Sequence, residues 1–142
     1  MLFIAADHAG FKLKEYLHHC LATRHVALED FGTFSATMDD YPGYAKRVAK
    51  IVAKHDGKGI LICGSGHGMA IAANRFKKVR AVNCWNQESA RQAREEDDAN
   101  ILVLPARFLT QEAAWEITSV FLSTTFSYLD RYKRRIGQID AL

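Results

Sequence analysis

The chain has 142 residues, 49% of them apolar and 25% charged, with a formal net charge of +3. That balance suits one globular domain over residues 1–142 and excludes a disordered or fibrous chain. The charge is mild and scattered until the last segment, which argues against a nucleic-acid partner, and no apolar run reaches membrane-spanning length.

Residues 2–6, LFIAA, form an apolar run ending at Asp7, with neither the basic region nor the long apolar stretch of a secretory signal. Residues 10–23 then bring Phe11, Leu13, Tyr16, Leu17, Cys20 and Leu21 near one helical face, so the chain opens as strand, turn and helix. HVALEDFG (25–32) reads as a second strand, 39–56 as a loop into a helix, and GKGILICG (57–64) as a third strand. A helix from about Met69, a strand RAVNCW (80–85), a helix over Asn86 to Glu96, a strand NILVLP (100–105) and a helix from near Thr110 complete the series. Strands alternating with helices of this length pair in parallel through right-handed crossovers. The fold class is therefore α/β: a doubly wound, Rossmann-like three-layer sandwich with a central parallel sheet. Ligands collect beyond the carboxyl ends of such strands, where Asp7, His8, Cys63 and residues 83–86 fall. The final segment, STTFSYLDRYKRRIGQIDAL, is a polar turn followed by a basic amphipathic helix; it forms either a solvated face or an arm that reaches a neighbouring subunit.

The stretch ILICGSGHGMAIAANR concentrates the candidate chemistry. Gly64, Gly66 and Gly68 allow a tight turn with outward-facing amides, but GSGHG is neither the nucleotide P-loop nor the dinucleotide fingerprint. Alone it could be only a turn. Cys63 precedes it, near a helix start where amides favour a thiolate, and a base beside oriented donors is what proton abstraction next to a carbonyl requires. Ser65 adds a hydroxyl, while Cys20 and Cys84 read as core residues. Asp7 can cap the helix that begins near Gly10, whereas His8 at the same edge suits a phosphate or hydroxyl. Three widely spaced cysteines suggest no disulfide framework, and with no cluster at metal-ligand spacing the expectation is reduced thiols, a cytoplasmic protein and no metal. The run REEDDAN places four acids at a helix C-terminus, where the helix dipole opposes them, so something other than helix stability retains them.

These pieces in this order (ADHAGFKLKEYL, DYPGYA, GILICGSGHGMAIAANR, VRAVNCW, DAN and the arginines of 131–135) resemble the ribose-5-phosphate isomerase B family, which also contains the subunits of galactose-6-phosphate isomerase. The resemblance covers nearly the whole chain. It implies cofactor-free isomerisation of a phosphorylated aldose to a ketose through an enediolate, with Cys63 as base and Gly64 to Gly68, including Ser65, stabilising the enediolate. It also implies that Asp7, His8 and Tyr41 line the substrate pocket, beside which His67, Asn74 and Asp97 are further candidate contacts, and that Arg107, Arg131 and Arg135 hold sugar and phosphate, a use that suits a guanidinium fork. A second subunit of a homodimer, or of a tetramer, completes the site, which gives the basic C-terminal helix its purpose.

Ribose-type members carry His-Asn where this chain has Glu96 and Asp97, and that histidine opens the sugar ring. Glutamate serves as a general acid or base near neutrality only where its proton affinity is raised, and Glu95, Asp97 and Asp98 push in that direction. Glu96 is thus the candidate ring-opening residue, with His67 a second proton carrier. The cysteine-bearing galactose-type subunit also has glutamate there, and Tyr132 stands where many members have histidine. The expected substrate is ribose 5-phosphate; the alternatives are a six-carbon aldose phosphate and a non-catalytic homologue that binds sugar phosphate.

Overall fold

The computed structural model describes residues 1–142. Five strands, β1 (Leu2–Ala6), β2 (Leu28–Asp30), β3 (Lys58–Cys63), β4 (Ala81–Asn83) and β5 (Ile101–Pro105), form one sheet in the order β2-β1-β3-β5-β4. Every pairing is parallel, with β3 against both β1 and β5. Six α-helices cover it: α1 (Phe11–Ala22), α2 (Tyr41–His55), α3 (His67–Ala73), α4 (Gln87–Asp97), α5 (Gln111–Ser123) and α6 (Asp130–Asp140).

The two-residue period of a buried strand divides the core in two. Ile60 and Ile62 of β3 face one way, into a cluster with Leu13, Leu17 and Leu21 of α1, Ala90 and Ala93 of α4, and Ile117 and Phe121 of α5. Leu61 and Cys63 face the other way, against Val48, Ala49 and Val52 of α2 and Met69 and Ala73 of α3. The chain therefore leaves β1 toward one layer and β3 toward the other. That divergence opens a crevice at the carboxyl edge, the position where doubly wound sheets hold ligands. Gly10 is needed at its wall, because a Cβ there would stand 2.6 Å from the Ile62 carbonyl oxygen.

The second strand is shorter than the sequence suggests. His25 takes a left-handed conformation (φ 57°), and the His25 and Val26 N–H groups bond back to Ala22 and Leu21, so these residues close α1. The third helix starts two residues before Met69, at His67, because Gly66 at φ +80° supplies the sharp entry.

α6 has no buried residue and rests against the end of α4, where Arg80 donates to Asp140 at 3.2 Å. The acidic run is retained by cations: Arg91 pairs with Glu95 at 2.7 Å, and Asp98 accepts from Arg94 at 2.8 Å and Arg80 at 3.1 Å. Arg94, almost fully buried, also donates to the Ala99 carbonyl at 2.6 Å and tethers the end of α5 through Thr124. No helix is long and apolar enough to cross a membrane.

Candidate active site

The last residue of β3 is Cys63, 4% exposed, and the Gly66 N–H points at its sulfur from 3.2 Å. The first helical bond of α3 runs from Ala70 to Gly66, so the N–H groups of His67, Gly68 and Met69 precede it and have no partner within the helix. A thiol with one amide on its sulfur and further amides beside it is equipped to take a proton from carbon and hold the resulting oxyanion.

Each glycine of the loop makes room for one particular side chain. A Cβ on Gly64 would lie 2.7 Å from the Arg107 guanidinium, one on Gly66 would collide with the Asn83 side-chain oxygen, and one on Gly68 would collide with the Tyr41 ring. Arg107 follows β5, and its backbone N–H donates to the Gly64 carbonyl at 3.0 Å, which holds the guanidinium over the loop. Tyr41 opens α2 at the same edge.

The Asp7 carboxylate accepts from the Gly10 N–H at 3.1 Å, the turn-capping bond that its position allows. Next to it, Asp39 accepts from the His8 N–H at 2.8 Å, lies 3.1 Å from His8 Nδ1 and accepts from the Tyr44 hydroxyl at 2.8 Å. Burial alone would raise the Asp39 carboxyl. The bonds from the His8 N–H, the Tyr44 hydroxyl and the His8 ring outweigh it and hold the carboxyl below the ordinary aspartate range. Asp39 and Tyr44 are not singled out by the sequence, because their partner lies 31 residues away from Asp39. Burial pushes the Cys84 thiol up to about 11, in keeping with a core residue.

Glu96, Asp97, Arg131 and Arg135 lie elsewhere. α4 starts at the carboxyl edge and runs back along the sheet, so Glu96 sits roughly 14 Å further along the helix axis, at the amino edge. Partial burial and then the neighbouring Glu96 raise the Asp97 carboxyl, while Arg135 and Arg80 pull it down. On α6 the Arg131 and Arg135 guanidinium groups lie 4.5 and 5.9 Å from the Tyr132 ring centroid, and Arg131 donates to the Tyr132 hydroxyl at 3.0 Å. Asn74, an expected substrate contact, is engaged by the backbone of its own chain. Its amide bonds both the N–H and the C=O of Ala81, each at 2.8 Å, so it pins the start of β4 at the far edge from Cys63.

A doubly wound sheet with a thiol, a glycine loop, a histidine and an arginine converging beyond its carboxyl edge defines an α/β protein built to hold a small ligand at that edge. The chain belongs to the ribose/galactose isomerase family, whose model matches residues 2–139. It is 41% identical over 138 residues to the ribose-5-phosphate isomerase B of Escherichia coli, covering 96% of this chain and 91% of that one. Among solved structures, the ribose 5-phosphate isomerase of Thermotoga maritima superposes with a TM-score of 0.96 at 45% identity, covering 99% of this chain and 97% of that one. The ribose-5-phosphate isomerase B of Mycoplasma genitalium, solved with bound ribulose-5-phosphate, superposes at 0.94 with 38% identity, covering 99% and 93%.

Proposed function

We propose that this protein is an aldose-ketose isomerase of sugar phosphates that interconverts ribose 5-phosphate and ribulose 5-phosphate without a cofactor. The observation that carries the reading is the Cys63 sulfur under the Gly66 N–H, in the same crevice as Arg107, Tyr41, Asp7 and His8. The relatives named above support the substrate, since they are ribose 5-phosphate isomerases and one holds the ketose product.

With the sugar ring open, the Cys63 thiolate takes the proton from C2. The electron pair of that C–H bond forms the C1–C2 double bond, and the carbonyl pair moves onto O1, where the loop amides stabilise it. Returning the proton to C1 while the one on O2 passes to O1 gives the ketose, with its carbonyl at C2 and a hydroxyl at C1. Arg107 at the loop suits a phosphate or sugar oxygen through its fork of donors.

Opening the ring requires a proton to leave O1 and another to reach the ring oxygen. The candidates for that step, Glu96 with Asp97, and the remaining arginines, Arg131 and Arg135, stand at the opposite edge from Cys63 in their own chain. The site therefore functions in a homodimer in which the amino edge and α6 of one copy complete the carboxyl edge of the other. An α6 without a single buried residue supports that arrangement. Three free cysteines suit the reducing cytoplasm as the place of action.

The test is a panel of five- and six-carbon aldose phosphates, supplied cyclic and as acyclic analogues, assayed for ketose formation. Ribose 5-phosphate is expected to turn over fastest. Preference for a six-carbon phosphate would overturn the substrate, and binding without turnover of any form would overturn the enzymatic reading.

A further inference from the structure

The ring of His67 has a defined partner at the end of β4, two strands away from β3 in the sheet. Asn83 closes β4, and its side-chain amide is 3.0 Å from the Ser65 carbonyl and 3.2 Å from His67 Nδ1. The Ser65 carbonyl can only accept, so it fixes which end of the Asn83 amide faces it: the NH2 group. Both protons of that group are then committed, one to Ser65 and one to His67 Nδ1. Nδ1 must accept, which leaves the ring proton on Nε2.

The opposite end of the amide shows that this orientation is maintained at a cost. The Asn83 side-chain oxygen is buried with no hydrogen-bond partner, packed against Gly66 where no side chain fits. An unpartnered buried acceptor is costly; only the Ser119 hydroxyl, far from this edge in α5, shares that state, and a breach beside the thiol and the glycine loop marks a functional constraint. His67 itself is exposed, and it sits between Gly66, whose N–H holds the Cys63 sulfur, and Gly68, which backs onto Tyr41.

We propose that His67 serves the isomerisation as a neutral imidazole that donates its Nε2–H to the substrate oxygen on which enediolate charge develops, and that Asn83 is the positioning residue that fixes this state. The proposal rests on the isomerase reading and deepens it. A neutral imidazole N–H can polarise a carbonyl without itself giving up the proton, so His67 adds a side-chain donor to the loop amides. This removes His67 from the proton carriers and leaves ring opening to the acids of the amino edge. His67 and Asn83 thus act as one unit, built from the loop after β3 and the end of β4.

Long-range proton–nitrogen NMR of the uniformly 15N-labelled protein reads the ring state directly. The expected result at neutral pH is a single neutral tautomer protonated on Nε2; a proton on Nδ1, or a fully protonated ring, overturns the assignment. In kinetics, His67→Leu should lower kcat about 100-fold with little change in KM, whereas His67→Gln, which places an N–H near Nε2, should stay within about tenfold of the parent and keep the shape of its pH profile. Equal losses in the two variants overturn the donor role, as does a limb of the pH profile that disappears in His67→Gln. Asn83→Leu should scramble the tautomer and lower kcat while thermal unfolding still reports a folded chain. A single Nε2–H tautomer in a protein that turns over no aldose phosphate would overturn the isomerase reading while supporting the ring assignment. An Nδ1–H ring with full turnover would overturn the ring assignment alone.

Discussion

At the carboxyl edge of the sheet individual polar groups are held by single partners: an amide on the Cys63 sulfur, Asp39 on His8, Asn83 on His67. At the amino edge, acids and arginines sit in one another's fields around an exposed helix, and Asp97 balances Glu96 against Arg135 and Arg80. The first edge carries the thiol and the glycine loop, and its carboxylates, Asp7 and Asp39, are engaged with Gly10 and with His8 and Tyr44. The second carries Glu96, Asp97 and the arginines of α6 but no thiol or glycine loop. On the proposed reading each edge supplies what the other is missing, and within one chain the length of α4 keeps them apart.

The sharpest way to break this comparison is to remove the base. Cys63→Ser should lower kcat by about a thousandfold, because a hydroxyl is a far weaker base, while leaving thermal unfolding near the parent value. A small loss would move the chemistry away from this edge. Next comes Gly66→Ala, which forces a side chain into a positive-φ position against Asn83 and should cost about 1–3 kcal/mol in denaturant unfolding as well as activity.

The two edges should also answer pH in opposite senses. Asp39 is held below the ordinary aspartate pKa of about 3.9, so its stabilisation is fully present above that value and is lost as pH falls through the lowered one. Asp39→Asn should therefore lower the melting temperature at pH 6 and make progressively less difference in acid. Asp97 is raised, so its ionisation opposes folding above its folded pKa, and the opposition vanishes below about pH 4. Asp97→Asn should raise the melting temperature of the isolated chain at pH 7 and leave it unchanged in acid. The smallest effect belongs to Asp140→Ala, which frees the end of α6 from Arg80 and should cost less than about 1 kcal/mol, since the pair is partly solvated.

Much of the carboxyl edge was legible in the sequence. The apolar run of β3, the thiol at its end and the alternating glycines are local signals, and the alternation of strands and helices placed Asp7, His8 and Cys63 together. What stayed hidden depends on distant partners. Asn74 has the chemistry of a ligand contact, yet both ends of its amide are taken by the backbone of Ala81. Asp39 looks like one acid of a pair until the fold sets it on His8, and Asn83 is only a strand residue until its amide meets His67. Likewise, the sequence shows the charge of REEDDAN but not that its first residue, Arg94, is buried and pairs with its last acid, Asp98.

The claim that two opposite edges make one site is tested most directly by mixing two inactive chains. Cys63→Ala lacks the base and Arg135→Ala lacks an amino-edge arginine, so each homodimer is defective at both sites. If each site joins the carboxyl edge of one copy to the amino edge of the other, a dimer with one chain of each kind contains one intact site. Co-refolding the two in equal amounts should then restore about a quarter of the parent activity, since half of the dimers are mixed and each has one good site of two. No recovery in a preparation shown to contain mixed dimers would contradict the account.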